Sequence, residues 1–319
     1  MNKLTRRPAK SSRLRARSRA DHPVNSTVQP GPERAKALLD EAGVRPSRGL
    51  GQNFLVQPAI ADRIVSALGI SGGDTVVEVG PGLGILSERL LMRGAKRLVL
   101  VELDRELAER LCEHFASEPS VEIIENDFLE LDLPSLLGAV PARVVGNLPF
   151  NVAAAILRKL CNHASLVSRA VLMFQREVAE RIRAHPGDPA YSALSVFTGL
   201  YWQVESHFTV GAGNFHPRPK VDAEVLCLVP RPMRLFDAAD EPAVLATVRA
   251  AFSSPRKMLR NALAKSLGLP PGRVELALRL AVIDPRARAE RLGVEDFVRL
   301  AHELKPVMDA ATNVARRDA

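Results

Sequence analysis

The chain has 319 residues, 46% of them apolar, and a net charge of +8; this is globular material, long enough for one ordinary core and a smaller second domain. No apolar run is long enough to span a bilayer, which excludes a membrane helix, and the start has no apolar stretch of secretory type. Cys112, Cys161 and Cys227 are scattered and form no CxxC pair, which argues against disulfides and zinc and for a reducing compartment.

The charge is unevenly placed. Residues 1–20 hold eight Lys/Arg and no acid, residues 47–230 hold 17 basic and 21 acidic side chains, and residues 231–319 hold 16 and 11. Basic ends around a mildly acidic middle suit a polyanion held by phosphate contacts at the ends. A solvated tail and a basic helical surface would give the same pattern.

In chain order, residues 1–31 combine Arg, Ser and Pro with almost no large apolar side chain, so a disordered basic tail is expected. An Arg-rich, acid-poor start also fits a mitochondrial transit peptide. Short helices are expected at 33–42 and at Pro58–Leu68. Apolar strand-like runs follow at 75–79, 98–101, 121–124, 143–145 and 170–174, separated by helical stretches such as 105–115. This alternation predicts an α/β fold with a Rossmann-like, mostly parallel sheet covered by helices on both faces. Runs at 202–210 and 224–229, joined by a Gly/Pro-rich loop, fit an antiparallel hairpin at the sheet edge. Beyond Pro232 the pattern is helical, at 242–252, 257–267, 273–280 and 294–304. A boundary near residue 231 therefore divides an α/β domain (32–230) from a helical domain (231–305), with a flexible tail over 306–319.

The first strand runs into Gly80-Pro81-Gly82-Leu83-Gly84, which opens a helix. Glycines there let backbone N–H groups approach a ligand at the switch point of an open α/β sheet. The dinucleotide fingerprint would need glycine at position 85, where Ile85 stands, so a phosphate-free ligand carrying an amino acid and a nucleoside fits at least as well. Glu102 ends the second strand, where a carboxylate can accept ribose hydroxyls. Asp104, just before Arg105, is the better helix cap. Asp127, after the third strand, can accept from an adenine amino group. Each acid is commonplace alone; the glycine turn with acids after the next two strands is a stronger set.

Asn147-Leu148-Pro149-Phe150 follows the fourth strand. Asn147 offers a side-chain acceptor, Pro149 fixes the backbone so that the Leu148 carbonyl can face the same spot, and Phe150 supplies a flat face for a base. Two acceptors and a ring read an exocyclic amino group and turn its lone pair towards an electrophile. A plain strand-to-helix turn would explain the Asn and Pro but not the aromatic. Gly51-Gln52-Asn53-Phe54-Leu55 reads as a turn or a ligand loop. The basic segment from Phe215 through His216-Pro217-Arg218-Pro219-Lys220 to Asp222 is suited to holding an extruded base and its phosphate. No histidine shows metal-ligand spacing.

Together, and in this order, these segments resemble those of the ribosomal RNA adenine N6-dimethyltransferases of the KsgA type, over residues 45–305. The resemblance implies a class I methyltransferase sheet with a reversed strand near its edge and a small helical C-terminal domain. It implies S-adenosyl-L-methionine held by Asn53, Leu55, Gly80, Glu102, Asp127 and Asn147. The catalytic residues are then Asn147, Leu148, Pro149 and Phe150, with Phe150 and Phe215 on the target base and Lys220 on the RNA. The implied substrate is a pair of adjacent adenines in the 3′ hairpin loop of small-subunit rRNA, each methylated twice, free or in a pre-30S particle. A cytoplasmic monomer with a role in ribosome biogenesis is expected. Phe150 stands where many members have Tyr, Ala223 where Ser is frequent, and residues 1–31 lie outside the pattern. Three rivals are weaker. A resistance-type large-subunit methylase is disfavoured by the helical end with its Arg256-Lys257-Met258-Leu259-Arg260 segment. A non-catalytic assembly or transcription factor has no use for Asn147 and Phe150. A nicotinamide oxidoreductase is disfavoured by Ile85.

Overall fold

The computed structural model describes residues 37, 39, 45–47, 51–138 and 140–317. The tail expected over 1–31 lies outside the described residues, as does most of the helix expected at 33–42, of which Ala37 and Leu39 are helical. The chain then forms β1 (Phe54–Leu55), α1 (Pro58–Leu68), β2 (Thr75–Val79), α2 (Ile85–Met92), β3 (Arg97–Glu102), α3 (Arg105–His114), β4 (Val121–Glu125), α4 (Leu133–Leu137), β5 (Ala142–Asn147) and α5 (Ala153–Asn162). It continues through β6 (Val167–Gln175), α6 (Arg176–Arg183), α7 (Ala193–Tyr201), β7 (Trp202–Val210), β8 (Phe215–His216) and β9 (Ala223–Pro230).

Seven strands make one sheet in the order β4-β3-β2-β5-β6-β9-β7. The first five are parallel, so their side chains are buried on both faces and read as continuous apolar runs. Alternate residues feed opposite cores: Val77, Val99 and Val144 pack on one side, and Val76, Leu98 and Val145 on the other. The two late strands do pair antiparallel, but β9 slots between β6 and β7 and is itself the reversed strand. Reversal brings the start of β9 to the ends of its neighbours, with Ala223 opposite Gln175 and Val210. The loops after β2, β3, β4, β5 and β6 and the loop before β9 therefore gather at one edge of the sheet. The chain-order reversal falls between β2 and β5, where open α/β sheets place their ligand.

Close approach of those two strands explains Gly146. A Cβ at that position would lie 2.7 Å from the Val79 carbonyl oxygen. Backbone cannot yield as a flexible side chain can, so Gly146→Ala should destabilise the protein by about 1–3 kcal/mol through overpacking. Urea denaturation measures it; an unchanged midpoint would contradict the packing described.

The C-terminal helices are α8 (Glu241–Phe252), α9 (Leu259–Leu267), α10 (Pro271–Leu280) and α11 (Val294–Arg317). Their core of Val248, Leu263, Leu278, Phe297, Leu300 and Leu304 also takes in Tyr191, Val196 and Leu200 from the α7 region. The Tyr191 hydroxyl donates to the Leu292 carbonyl, and Arg231 Nε donates to Gly199 O. The line expected at residue 231 is thus crossed by a shared core. The expected flexible tail is also corrected, because α11 continues through Pro306 to Arg317. Val307 and Met308 prolong the apolar stripe of Phe297, Leu300 and Leu304 and pack on the helical core, which outweighs the hydrogen bond that Pro306 cannot make. No described helix is long and apolar enough to cross a membrane.

Candidate cofactor and adenine site

The glycine turn after β2 has Gly80, Gly82 and Gly84 all at positive φ, a conformation that side chains rarely adopt. A Cβ on Gly82 would lie 2.9 Å from Phe54 Cδ1, so the ring of β1 seals the outer side of the turn. Glu102, at the end of β3, is 6% exposed. Its Oε2 accepts from the Gly82 N–H and its Oε1 from the Asp104 N–H, both at 3.0 Å. Each oxygen keeps a second lone pair for a ligand hydroxyl. Burial raises the Glu102 pKa, and the N–H groups of Asp104 and Gly82 oppose that rise. Asp104 caps α3 with its Oδ1, as expected, and its Oδ2 takes the Gln52 amide at 2.8 Å.

The segment 51–55 reaches the cleft because β1 pairs with β8, 160 residues on in the chain, matching Leu55 with Phe215 and Phe54 with His216. That pairing sets the exposed Arg218 and Lys220 beside the same edge. Asn147 Nδ2 donates to the Asn53 carbonyl at 2.8 Å. Only the amide nitrogen can donate to a carbonyl, so the bond leaves Asn147 Oδ1 as the acceptor on the other side. The Leu148 side chain is 1% exposed in the core, so its carbonyl is the part that can serve a ligand. Phe150 is half-buried at the rim.

Asn53, Leu55, Gly80, Glu102 and residues 147–150 all line one cleft. Asp127 does not line it. Its Oδ1 turns back to accept from the Leu129 N–H, a local turn that sequence spacing alone does not reveal. Phe215 is a correction. It is 1% exposed and packs among Leu55, Met173 and Val225, so its ring offers no face to a base.

One residue that the sequence reading passed over also lines the cleft. Glu78 is 1% exposed within β2 and accepts from Ser87 Oγ at 2.6 Å. Burial pushes its carboxyl up to about 8 against that hydrogen bond, with the Glu102 charge adding to the rise. The signal was a lone acid inside Val76-Val77-Glu78-Val79. Between the ordinary glutamate range and about 8, the folded chain keeps a proton that the unfolded chain releases. The stability this gives is present at low pH and is lost as pH rises through that window. The cofactor-free protein should lose a few kcal/mol from this source between mildly acidic and mildly alkaline pH, at about 1.4 kcal/mol per unit of elevation. Glu78→Gln cannot ionise and should flatten the dependence; parallel denaturation curves for both proteins would contradict it.

The lining itself tests the cofactor. Among the described residues it holds two acids, Glu78 and Glu102, and no Lys, Arg or His. A pyrophosphate would find no cation there, whereas a phosphate-free nucleoside with ammonium and sulfonium charges meets two acids and a ring of backbone groups. The residues present therefore fit S-adenosyl-L-methionine.

A cleft of this chemistry at the switch point of such a sheet defines a class I methyltransferase, dependent on S-adenosyl-L-methionine. The solved dimethyladenosine transferase from Plasmodium falciparum superposes with a TM-score of 0.66 and 27% identity, covering 79% of this chain and 98% of that one. The 23S rRNA methyltransferase ErmE superposes with a TM-score of 0.62 and 28% identity, covering 79% and 100%. The family model for ribosomal RNA adenine dimethylase matches residues 45–305, and the chain belongs to that family. It is 40% identical over 266 residues to ribosomal RNA small subunit methyltransferase A of Geobacter metallireducens, covering 82% of this chain and 96% of that one. The namesake of Methylococcus capsulatus is 41% identical over 261 residues, covering 82% and 98%.

Proposed function

We propose that the protein dimethylates N6 of two adjacent adenines in the 3′-terminal hairpin loop of small-subunit rRNA, as a cytoplasmic monomer acting during subunit assembly. The observation that carries this reading is the Asn147 amide, held by the Asn53 carbonyl so that its oxygen stands as an acceptor in an acid-lined cleft. S-adenosyl-L-methionine, when bound, supplies an electrophilic methyl group. Glu102 would accept the ribose hydroxyls, and the backbone of 80–84 would help to hold the nucleoside. Asp127 would accept from the cofactor's adenine amino group through its Oδ2, the oxygen not committed to Leu129.

The target adenine leaves its stack and lies on Phe150. Asn147 Oδ1 and the Leu148 carbonyl accept the two N6 hydrogens, which aims the nitrogen lone pair at the incoming carbon. Rate then comes from positioning rather than from a strong base. Nitrogen would gain the methyl carbon as the sulfonium sulfur–carbon bond breaks and its electron pair stays on sulfur, which would leave as a neutral thioether; the N6 proton, made acidic by the new bond, would leave to solvent. A second round needs room for the first methyl at the half-buried rim. Arg218 and Lys220 hold phosphates beside the cleft.

Relatives named for the small subunit support this assignment over large-subunit action. Primer extension across the 3′ hairpin of small-subunit rRNA tests it, in cells with and without the gene. A stop at two adjacent adenines should vanish on deletion; a stop that persists overturns the reading.

A further inference from the structure

Away from the cleft, α5, α7 and α8 enclose a crevice of about 230 Å³. Residues four apart line it on every helix: Leu157 with Cys161 and Arg158 with Asn162, Leu194 with Thr198 and Phe197 with Tyr201, and Leu245 with Arg249. Residues at that spacing share a helix face, so each helix turns one consistent face to the space. Phe197 and Tyr201 bring aromatic rings, and the Tyr201 hydroxyl is tethered to Glu241, which fixes its ring. Arg158 and Arg249 are exposed and approach the crevice from two different helices. Many arginines of this chain hold a carboxylate, Arg143 with Asp74 and Arg183 with Glu224 among them. Neither Arg158 nor Arg249 makes an ion pair among the described residues. Burial pushes the Cys161 thiol up to about 12, so the crevice offers no nucleophile at neutral pH and is suited to binding.

We infer that this crevice is a second RNA subsite, which takes an unstacked nucleotide flanking the target adenine, its base against Phe197 and Tyr201 and its phosphate on Arg158 and Arg249. An apolar slot with two aromatic rings and two uncommitted cations matches the two halves of a nucleotide. Helix α5 links the two sites: it begins three residues after Phe150, and Arg158 lies about 8 Å and Asn162 about 14 Å along its axis from Ala153. A few unpaired nucleotides of the substrate strand span that distance. The inference rests on the methylation reading above, but it concerns residues that touch neither N6 nor cofactor.

The test uses the full-length protein and small subunits lacking the modification. Arg158→Ala with Arg249→Ala should lower affinity about tenfold and make log affinity less steep in log salt by roughly 0.7–1.8, the release expected for one or two phosphates. Leu245→Trp fills the slot without touching charge, so affinity should fall with the salt slope unchanged. Both proteins should keep the wild-type single-turnover rate at saturating subunit. An unchanged affinity in the arginine variant overturns the subsite. An effect of the arginines with none from a folded Leu245→Trp also overturns it, since the pair would then belong to a general phosphate surface. If the tryptophan variant does not fold, Phe197→Ala takes its place: it removes a stacking face without touching charge, so affinity should fall with the salt slope unchanged, and wild-type affinity in that variant overturns the subsite. Failure of the wild-type protein to methylate would instead sink the functional reading.

Discussion

Asn147→Ala is expected to slow methyl transfer by about 10²–10³-fold while RNA affinity stays almost intact, the cost usual for losing one preorganised polar group at the reacting centre. The residue ends β5, and its amide is already oriented by the Asn53 carbonyl before any substrate arrives. On the proposed mechanism its acceptor oxygen would align N6 for transfer, whereas affinity would come from phosphate contacts at Arg218, Lys220 and the basic helical surface. Asn147→Asp sharpens the point. A carboxylate keeps an acceptor but sets a like-charged oxygen against the Asn53 carbonyl, so it should also be slow. Phe150→Ala should slow transfer and weaken base holding by about 1–3 kcal/mol, while Phe150→Tyr, which keeps the aromatic face, should be nearly neutral. Single-turnover transfer with filter binding beside it separates the two effects. An Asn147→Ala protein that transfers at the wild-type rate would remove Asn147 from the catalytic centre.

Glu102→Ala is expected to weaken cofactor binding by about 1–3 kcal/mol. The carboxylate touches both the glycine turn, through the Gly82 N–H, and the start of α3, through the Asp104 N–H. Removing it would take away the proposed ribose acceptor and leave two N–H groups without their partner. Glu102→Gln keeps an acceptor oxygen and should fall between the two. Calorimetric titration with S-adenosyl-L-methionine reads the loss directly, and wild-type affinity in a folded Glu102→Ala protein would refute the ribose assignment.

Much of this was legible in the chain because parallel strands covered on both faces leave a strong imprint. Val76 to Val79 and Leu98 to Val101 are unbroken apolar runs but for one acid, and each ends in the residues that build the cleft. Gly80, Glu102 and Asn147 were findable since the ends of parallel strands must share an edge. Less legible was whatever depends on contact between distant segments. Phe215 resembles a stacking ring in a basic loop, yet pairing of β8 with β1 turns it into the core. Gly146 looks like an ordinary strand glycine until β5 is laid against Val79. Pro306 suggests a helix end, and only the packing of Val307 and Met308 carries α11 past it. Asp127 stands in the expected loop, but a local turn already occupies one of its oxygens.

The most direct measurement incubates the purified protein and S-adenosyl-L-methionine with small subunits from cells lacking the modification, then digests the RNA to nucleosides for mass analysis. The account predicts N6,N6-dimethyladenosine rising towards two residues per particle, both in the 3′-terminal hairpin loop, and no methylation of large subunits supplied in parallel. Methyl groups found only on large-subunit RNA, or tight binding to the small subunit with no methyl transfer at all, would contradict it.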